Sequence, residues 1–543
     1  MEEKVRIKTL NGYGLEDTEV REAVEQVAGE VIRLSEEIVA VKPQKFGAVG
    51  DGVTDDSDAI QAALNEGGLV YLPAGRYKIT KTLTIGSNTT LMGDGDNSVI
   101  FLGDNGANLT PHDWYIDSTT YPQYYPYITT VDGASRIKIS RIRIEGNTET
   151  ASTNLHVGIA AESATDVVVE HVSVWKINYF PENAPARPSG QWRTGWNIAF
   201  LRSDRIELSH STVQYGAYEC VRIGTCAKNV WVHDCLIEYG WRTGLQVIEG
   251  CSGVVIERCT LNQDDFDAYD TNAIITIHES ADYPASDITI SKCQLNGKLY
   301  AERADGGGIH TVAGRVGSIL RVLDTVINVS VGKEALLSFH SDLYARGCTF
   351  IAPVGVTAYS VTGTAKHTFV DCDIAALTGN GVNVCGNTTI SNCRVTSEVN
   401  AIYAPDTQAE TPTLLVTNCD IYAPIQNAVY INGSTAYDVR HSTLQGQIYI
   451  NANNKSFAQK CNVSDNSFVL QPAKCGVKND YSSTVYALLT ICGNLITGGD
   501  KAVEIYGSGK AIIKDNDVSG CVNGINATNE QNIIKDNILP ATN

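Results

Sequence analysis

The sequence predicts an all-β fold: a right-handed parallel β-helix (a solenoid of short strands) with a short N-terminal helical segment and one capping helix. Three observations lead there. Short alternating segments recur along the chain: VVVEHVSV, RIELSHSTV, VWVHDCLI, VVIERCTL, ITISKCQL, LYARGCTF, TFVDCDI, TISNCRV and LVTNCDI. Their spacing stays near two dozen residues: Cys235 to Cys259 is 24, Cys348 to Cys372 is 24, Cys372 to Cys393 is 21 and Cys393 to Cys419 is 26. No helical periodicity separates them. Toward the C-terminus AIIKDNDV and NIIKDNIL continue the pattern, with Asn494, Asn516 and Asn537 spaced 22 and 21 apart. Leucine-rich repeats share this period, but their leucine signature and helix are absent. A single coil cannot bury its own apolar face, so coils stack and like residues form ladders. In such a column Cys serves as a small hydrophobe and Asn bonds the turn backbone.

The elements follow in order. Residues 1–41 form an N-terminal helical neck and residues 42–543 the β-helix with its cap. Within 18–40, Val20, Val24, Val27, Val31, Leu34 and Ile38 are spaced 4, 3, 4, 3 and 4. That is a heptad seam with β-branched residues at both apolar positions, which favours trimers over dimers. Packing of this helix on its own β-helix is the alternative. Next, FGAVGDGVTDDSDAIQAALNEGG reads as a turn and a short helix. Asp55 and Asp56 supply N-terminal carboxylates, Ile60, Ala63 and Leu64 share a face, and Gly67 and Gly68 stop the helix. LVYLPAGRYKITKTLTI then gives two alternating strands around a Pro-Ala-Gly turn. The helix covers the first coil, whose strand edges would otherwise stand open.

Bulk properties narrow the partners. The formal charge of −20 argues against nucleic acid, whose phosphates need a basic surface. No apolar run approaches the ~20 residues that span a bilayer. The opening MEEKVRIKTLNGYG lacks the apolar core of a secretory signal, so synthesis in the cytoplasm without a signal peptide is expected. Fifteen cysteines, an odd number set mostly in the repeat, read as buried thiols rather than disulfides.

The stretch FGAVGDGVTDDSDAIQAAL…VYLPAGRYKI…TTLMGDG (46–95) resembles the opening of the pectate-lyase-like superfamily of β-helices. That superfamily includes pectin lyases, polygalacturonases and phage tailspike depolymerases. IKTLNGYGLEDTEVRE resembles the start of tail proteins in phages and prophages of Gram-positive bacteria. The resemblance implies a homotrimer on a virion tail, or released by lysis, acting on a polysaccharide. Because this scaffold carries hydrolases, lyases, transferases and binders, the resemblance fixes the fold more firmly than the chemistry.

Long insertions between coils mark a binding groove. Three stand out, at 179–197, 262–272 and 296–310, and in the coil register all precede the same strand. The acids in the second, Asp264, Asp265, Asp267 and Asp270, are the candidate catalytic group, with Glu249 on the predicted groove strand one coil earlier. Glycoside hydrolysis needs two carboxyl groups about 5–10 Å apart, and neighbouring coils sit about 4.8 Å apart. QDDFD resembles the paired aspartates of polygalacturonases. Their Asn-Thr-Asp, Gly-His-Gly and Arg-Ile-Lys motifs are not intact here, GGGIH at 306–310 being a partial match. A solvated or calcium-binding turn is the other reading of the acidic loop. Hydrolysis requires no cofactor; a calcium-dependent lyase would instead use Arg242 or Arg303 as base.

Substrate contacts are expected from Trp192, Arg193, Tyr215, Tyr239, Trp241, Arg242, Gln246, His278, Glu279, Arg303, Asp305 and His310, with Tyr218 and Tyr269 nearby. Flat rings stack on the apolar faces of sugars, and arginines hold anionic groups. Trp196 is expected to point inward. His156, Asn197, Arg222 and Gln246 are expected to form one outward polar column. The leading function is a tailspike-like depolymerase that hydrolyses a polysaccharide; a non-catalytic receptor-binding tail protein and a calcium-dependent pectin-type lyase are the alternatives.

Overall fold

The computed structural model describes residues 40–540 except 105, 114, 117–118, 121–122, 147–153, 179–194, 264–272, 279–284, 299–306, 313–318, 332–333, 340–341, 360–364, 406–411, 434, 452–455, 480–483, 507 and 528–530. The expected heptad seam thus lies outside the described residues. Val41 already pairs in parallel with Val70 of the cap.

Three long parallel sheets wind about one core. Sheet one stacks Tyr124–Thr130, Leu155–Glu162, Gly195–Leu201, Glu219–Gly224, Thr243–Ile248, Ala273–His278 and Gly307–Val312, and continues toward the C-terminus. Sheet two stacks Thr165–Glu170, Asp204–Ser209, Lys228–His233, Ser252–Glu257 and Ser286–Ser291. Sheet three stacks Ser173–Trp175, Thr212–Gln214, Leu236–Glu238, Thr260–Gln263 and Gln294–Lys298. Each of these strands pairs with the coils before and after it, so backbone groups are satisfied between coils. The core is built from columns of branched aliphatics: Ile159, Ile198, Val221, Leu245, Ile275 and Ile309 stack in register and are fully buried.

The ladders form at the corner between sheets two and three. Each coil turns there through a left-handed residue, among them His210, Asp234, Arg258, Asp371, Asn392 and Asp515. The next residue points inward. Cys235 donates to the Leu208 and His233 carbonyls, and Cys259 and Cys348 repeat this against Val232 and Val322. The asparagines do more. Asn494 Nδ2 donates to Val463 O at 3.0 Å and Asn516 Oδ1 at 2.9 Å, while its Oδ1 accepts from the Asn466 backbone and side chain. All fifteen cysteines are free thiols, only Cys226 being exposed and Cys492 intermediate.

The single α-helix among the described residues, Ser57–Glu66, buries Ile60, Ala63 and Leu64 as expected. Gln61 reaches the strand Leu83–Ile85, donating to Thr84 O at 3.1 Å and accepting from Thr84 N at 2.8 Å, which closes that strand edge. The two aspartates divide their labour rather than both capping the helix. Asp55 takes the Ser57 N–H at 3.1 Å, whereas Asp56 turns back to accept from Val49 and Gly50 at 2.7 and 3.1 Å.

Candidate functional site

Sheet one departs from the ladder logic on its outer face. Strand alternation sends Val221, Ile223, Leu245 and Val247 into the core and turns Arg222 and Gln246 the other way. These two stack in register, and Thr276 and His310 continue their column. Arg222 is almost wholly buried. It donates to Gln246 Oε1 and Glu249 Oε1, both at 2.6 Å, and lies over the Trp196 ring with its guanidinium carbon 4.5 Å from the centroid. The second oxygen of Glu249 accepts from the Thr225 N–H and hydroxyl at 3.1 and 2.9 Å. Glu219 is fully buried in the same layer, with Arg222 and Arg242 each 3.7 Å away. Burial pushes its carboxyl up to about 6; the two guanidinium groups and the Trp196 indole oppose that rise. Arg242 donates to the Tyr218 hydroxyl at 2.5 Å and lies over its ring.

A pocket of about 560 Å³ adjoins this layer where sheet one turns into sheet two. His112, Thr130, Asp132, Glu162, Ser163, Arg202, Thr225 and Cys226 line it. The volume suits a small-molecule unit. Thr130 ties the coils together here, donating to Glu162 O at 2.8 Å and accepting from Glu162 N at 2.9 Å. The Glu162 carboxylate accepts from His112 Nδ1 at 2.7 Å and from the Tyr124 hydroxyl, and its other oxygen pairs with Arg202. Burial, then Arg202, holds the His112 imidazolium form down. Burial raises the Tyr124 hydroxyl well above its ordinary value. Asp132 is exposed at the rim, one coil before Glu162. Thr225 joins the two groups, lining the pocket while bonding Glu249. Among the described residues, no set of three His, Cys, Asp or Glu donors close enough to share one metal ion lies in this pocket.

The structure sorts the expected residues as follows. Asp264, Asp265, Asp267, Asp270, Tyr269, Trp192, Arg193, Glu279, Arg303 and Asp305 lie outside the described residues. The strands that follow the three insertions, beginning at Gly195, Ala273 and Gly307, are all in sheet one. The insertions therefore leave from one flank. Tyr215 and Tyr239 stack at that flank with centroids 5.0 Å apart, next to Trp175. Gln246 and His310 share the Arg222 column. His278 ends its strand opposite Ile248.

Four expectations need correction. Glu249 lies one residue beyond its strand, in the turn, with φ of 64°. It therefore follows the C-terminal end of its strand, whereas the 264–272 segment precedes the N-terminal end of the neighbouring strand Ala273–His278, a six-residue strand being about 20 Å long. Trp241 is buried rather than open to the groove. Trp196 is buried, but in a separate outer cluster with Tyr124, Leu155, Val157, Ala160, Ala199 and Leu201 rather than in the main core. The polar column is split: His156 pairs with Gly195, and Ala199 precedes Arg222. Asn197 instead donates to Val174 O and Gln214 O, at 3.2 and 2.6 Å. Sequence reasoning missed His112, Tyr124, Asp132, Glu162, Arg202 and Glu219.

With three parallel sheets and this outer polar layer in place, the chain is a right-handed parallel β-helix, and its first half is similar to pectate-lyase-like proteins. Residues 40–297 match the family model described as rhamnogalacturonase A/epimerase, pectate lyase-like, and residues 375–539 match that of the right-handed β-helix region. The pre-neck appendage protein of Bacillus phage B103 is 33% identical over 162 residues, covering 26% of this chain and 18% of that protein. Alginate lyase 7 of Azotobacter vinelandii is 29% identical over 208 residues, covering 30% of this chain and 24% of the enzyme. The matched parts thus span only about a fifth of the length of these relatives. The tailspike protein gp49 from Pseudomonas phage LKA1 aligns with a TM-score of 0.43 at 13% identity, covering 88% of this chain and 81% of that one. No helix among the described residues is long and apolar enough to cross a membrane.

Proposed function

We propose that this protein binds a polysaccharide against sheet one and cleaves its glycosidic bonds by hydrolysis, as a homotrimeric component of a phage tail. One observation carries the reading: two carboxylates from adjacent coils, Asp132 and Glu162, line one pocket beside Arg202, His112 and Tyr124. A step of about 4.8 Å between coils suits the separation of roughly 5–10 Å that two-carboxylate glycoside hydrolysis requires. Glu162 is fixed by its three donors and Asp132 faces solvent at the rim. The resemblance of residues 40–297 to a rhamnogalacturonase A/epimerase family, and the partial identity with an alginate lyase and a phage appendage protein, support a polysaccharide substrate and a tail location.

A second reading keeps Asp264 and Asp267 as the catalytic pair, with Asp265 beside them. The convergence of the insertion-bearing strands on one flank, where Tyr215 and Tyr239 stack, favours it. A single assay separates the two. Purified chain is screened on a polysaccharide panel for new reducing ends, with Asp132→Asn, Glu162→Gln and the double variant Asp264→Asn, Asp267→Asn alongside. Loss of a general acid or base costs about 10²–10⁴-fold, and that loss is expected in Asp132→Asn and Glu162→Gln. If only the loop variant fails, chemistry belongs to the other flank. A product absorbing in the ultraviolet and abolished by chelator would make the protein a calcium-dependent lyase. Retained glycan binding without turnover would make it a receptor-binding tail protein. Sedimentation equilibrium at three times the chain mass is the expected result for the trimer.

A further inference from the structure

The corner between sheets two and three, at the other edge of sheet two from the pocket, gathers a different set of side chains. His210, His233 and Asp234 each offer one donor atom, and these atoms lie within 4.8 Å of one another. They come from successive coils: Ser209 pairs with His233, and the His210 N–H donates to the His233 carbonyl at 3.2 Å. His233 is buried and its ring is stacked on Trp231, with centroids 3.8 Å apart. Its Nδ1 faces Asp234 Oδ2 at 2.7 Å and its Nε2 faces Glu207 Oε1 at 3.2 Å. His210 is exposed and stacks on His171 at 4.9 Å.

We propose that this corner binds one divalent transition-metal ion through His210, His233 Nδ1 and Asp234, with solvent completing the coordination. Two imidazoles and a carboxylate form a mixed nitrogen and oxygen set that suits Zn²⁺ and disfavours the all-oxygen cations Ca²⁺ and Mg²⁺. Glu207 is the positioning residue. A carboxylate on the far ring nitrogen is the usual partner of a metal-bound histidine, fixing its tautomer and orientation. The ion displaces whatever proton Nδ1 carries, and that proton passes to solvent. Arg258 opposes the ion: its Nε and terminal nitrogen bind the two Asp234 oxygens at 2.9 and 2.8 Å and must swing away. Once bound, the ion clips two successive coils together through side chains 24 residues apart, His210 and Asp234.

The test is calorimetric titration of the full chain with zinc chloride, with calcium and magnesium chloride as controls. Zinc is expected to bind at one equivalent where calcium and magnesium do not. His210→Ala, at an exposed position that leaves the core intact, is expected to remove that equivalent with an unchanged far-ultraviolet spectrum. Glu207→Gln is expected to weaken binding about 10–100-fold, and Arg258→Gln to tighten it. A wild-type chain that takes up no zinc, or His210→Ala with wild-type zinc affinity, overturns the proposal.

Discussion

Replacing Glu219 by Gln should stabilise the protein in mild alkali and do nothing in acid. Glu219 is fully buried, and both guanidinium groups near it stop at 3.7 Å, beyond hydrogen-bond reach. The Trp196 indole offsets the burial only in part. Desolvation therefore outweighs attraction, and the carboxyl rises from 4.5 to about 6. The sign follows directly. A carboxyl held higher in the fold than in the unfolded chain binds its proton more tightly when folded, so stability grows as pH falls through about 6 and levels off below 4.5. Above that window the ionised group costs roughly 2 kcal/mol. An isosteric amide removes the cost. Unfolding entropy near 2 cal/mol/K per residue gives about 1 kcal/mol/K for a chain of this length, so the gain appears as a rise of about 2 °C in Tm. Calorimetric scans at one rate compare wild type with Glu219→Gln at pH 8 and pH 4. The expected result is a higher Tm for the variant at pH 8 and equal values at pH 4. A lower Tm at pH 8 would refute the reasoning, because it would mean that the ion pairs with Arg222 and Arg242 outweigh the burial.

Three further outcomes follow from the same geometry. Arg222→Met strands Glu249 and Glu219 without their shared cation, and removing one partner of a buried pair costs about 3–5 kcal/mol; urea unfolding should show a loss of that size, reduced when Glu249→Gln is added. Asn494→Ala deletes bonds to Val463, Asn466 and Asn516 inside the ladder. At about 1 kcal/mol per bond plus the exposed need of the Asn466 N–H, a loss near 3 kcal/mol is expected by the same method. Thiol titration of the native chain should find Cys226 reacting fast and Cys492 slowly, with the thirteen buried cysteines reacting only after denaturant is added.

The coils and their ladders were legible because a solenoid writes its fold in one dimension. Cys235, Cys259 and Cys293, or Asn494, Asn516 and Asn537, stand one coil apart in sequence and one above another in space. The outer column was misread because register cannot be counted through an insertion. His156 and Asn197 looked equivalent, yet the strand resumes so that His156 meets Gly195. The pocket was missed for a related reason. Its residues come from the early coils, where Glu162 closes a run that reads as core, LHVGIAAE. One signal was present. The turn after each sheet-one strand carries Ser163, Arg202, Thr225 and Glu249 in successive coils, all with positive φ. Four bulky or polar residues where a β-helix needs only a tight bend mark a corner that is not just a bend.

That contrast bears on where function sits along the solenoid. A chain selected for stability alone would continue apolar or ladder residues across every buried column, because buried ion pairs seldom outperform well-packed hydrophobes. The C-terminal coils come closer to that rule, with Asn466, Asn494 and Asn516 satisfying one another and the inner columns made of Ile, Val and Leu, although Glu504 is buried beside Lys501. Between Tyr124 and Glu249 the rule breaks. Glu219, Arg222, Glu249, His156 and Gln246 are buried in or beside sheet one, and Glu162 is fixed by an arginine, a histidine and a tyrosine. Burying so many ionisable groups in adjacent coils is unfavourable for folding unless their fixed geometry is itself used. The same coils border the pocket lined by Glu162 and Arg202 and the strands that carry the long insertions. The buried ionisable groups thus concentrate in the coils from Tyr124 to Glu249, the stretch where the proposed function would have to sit.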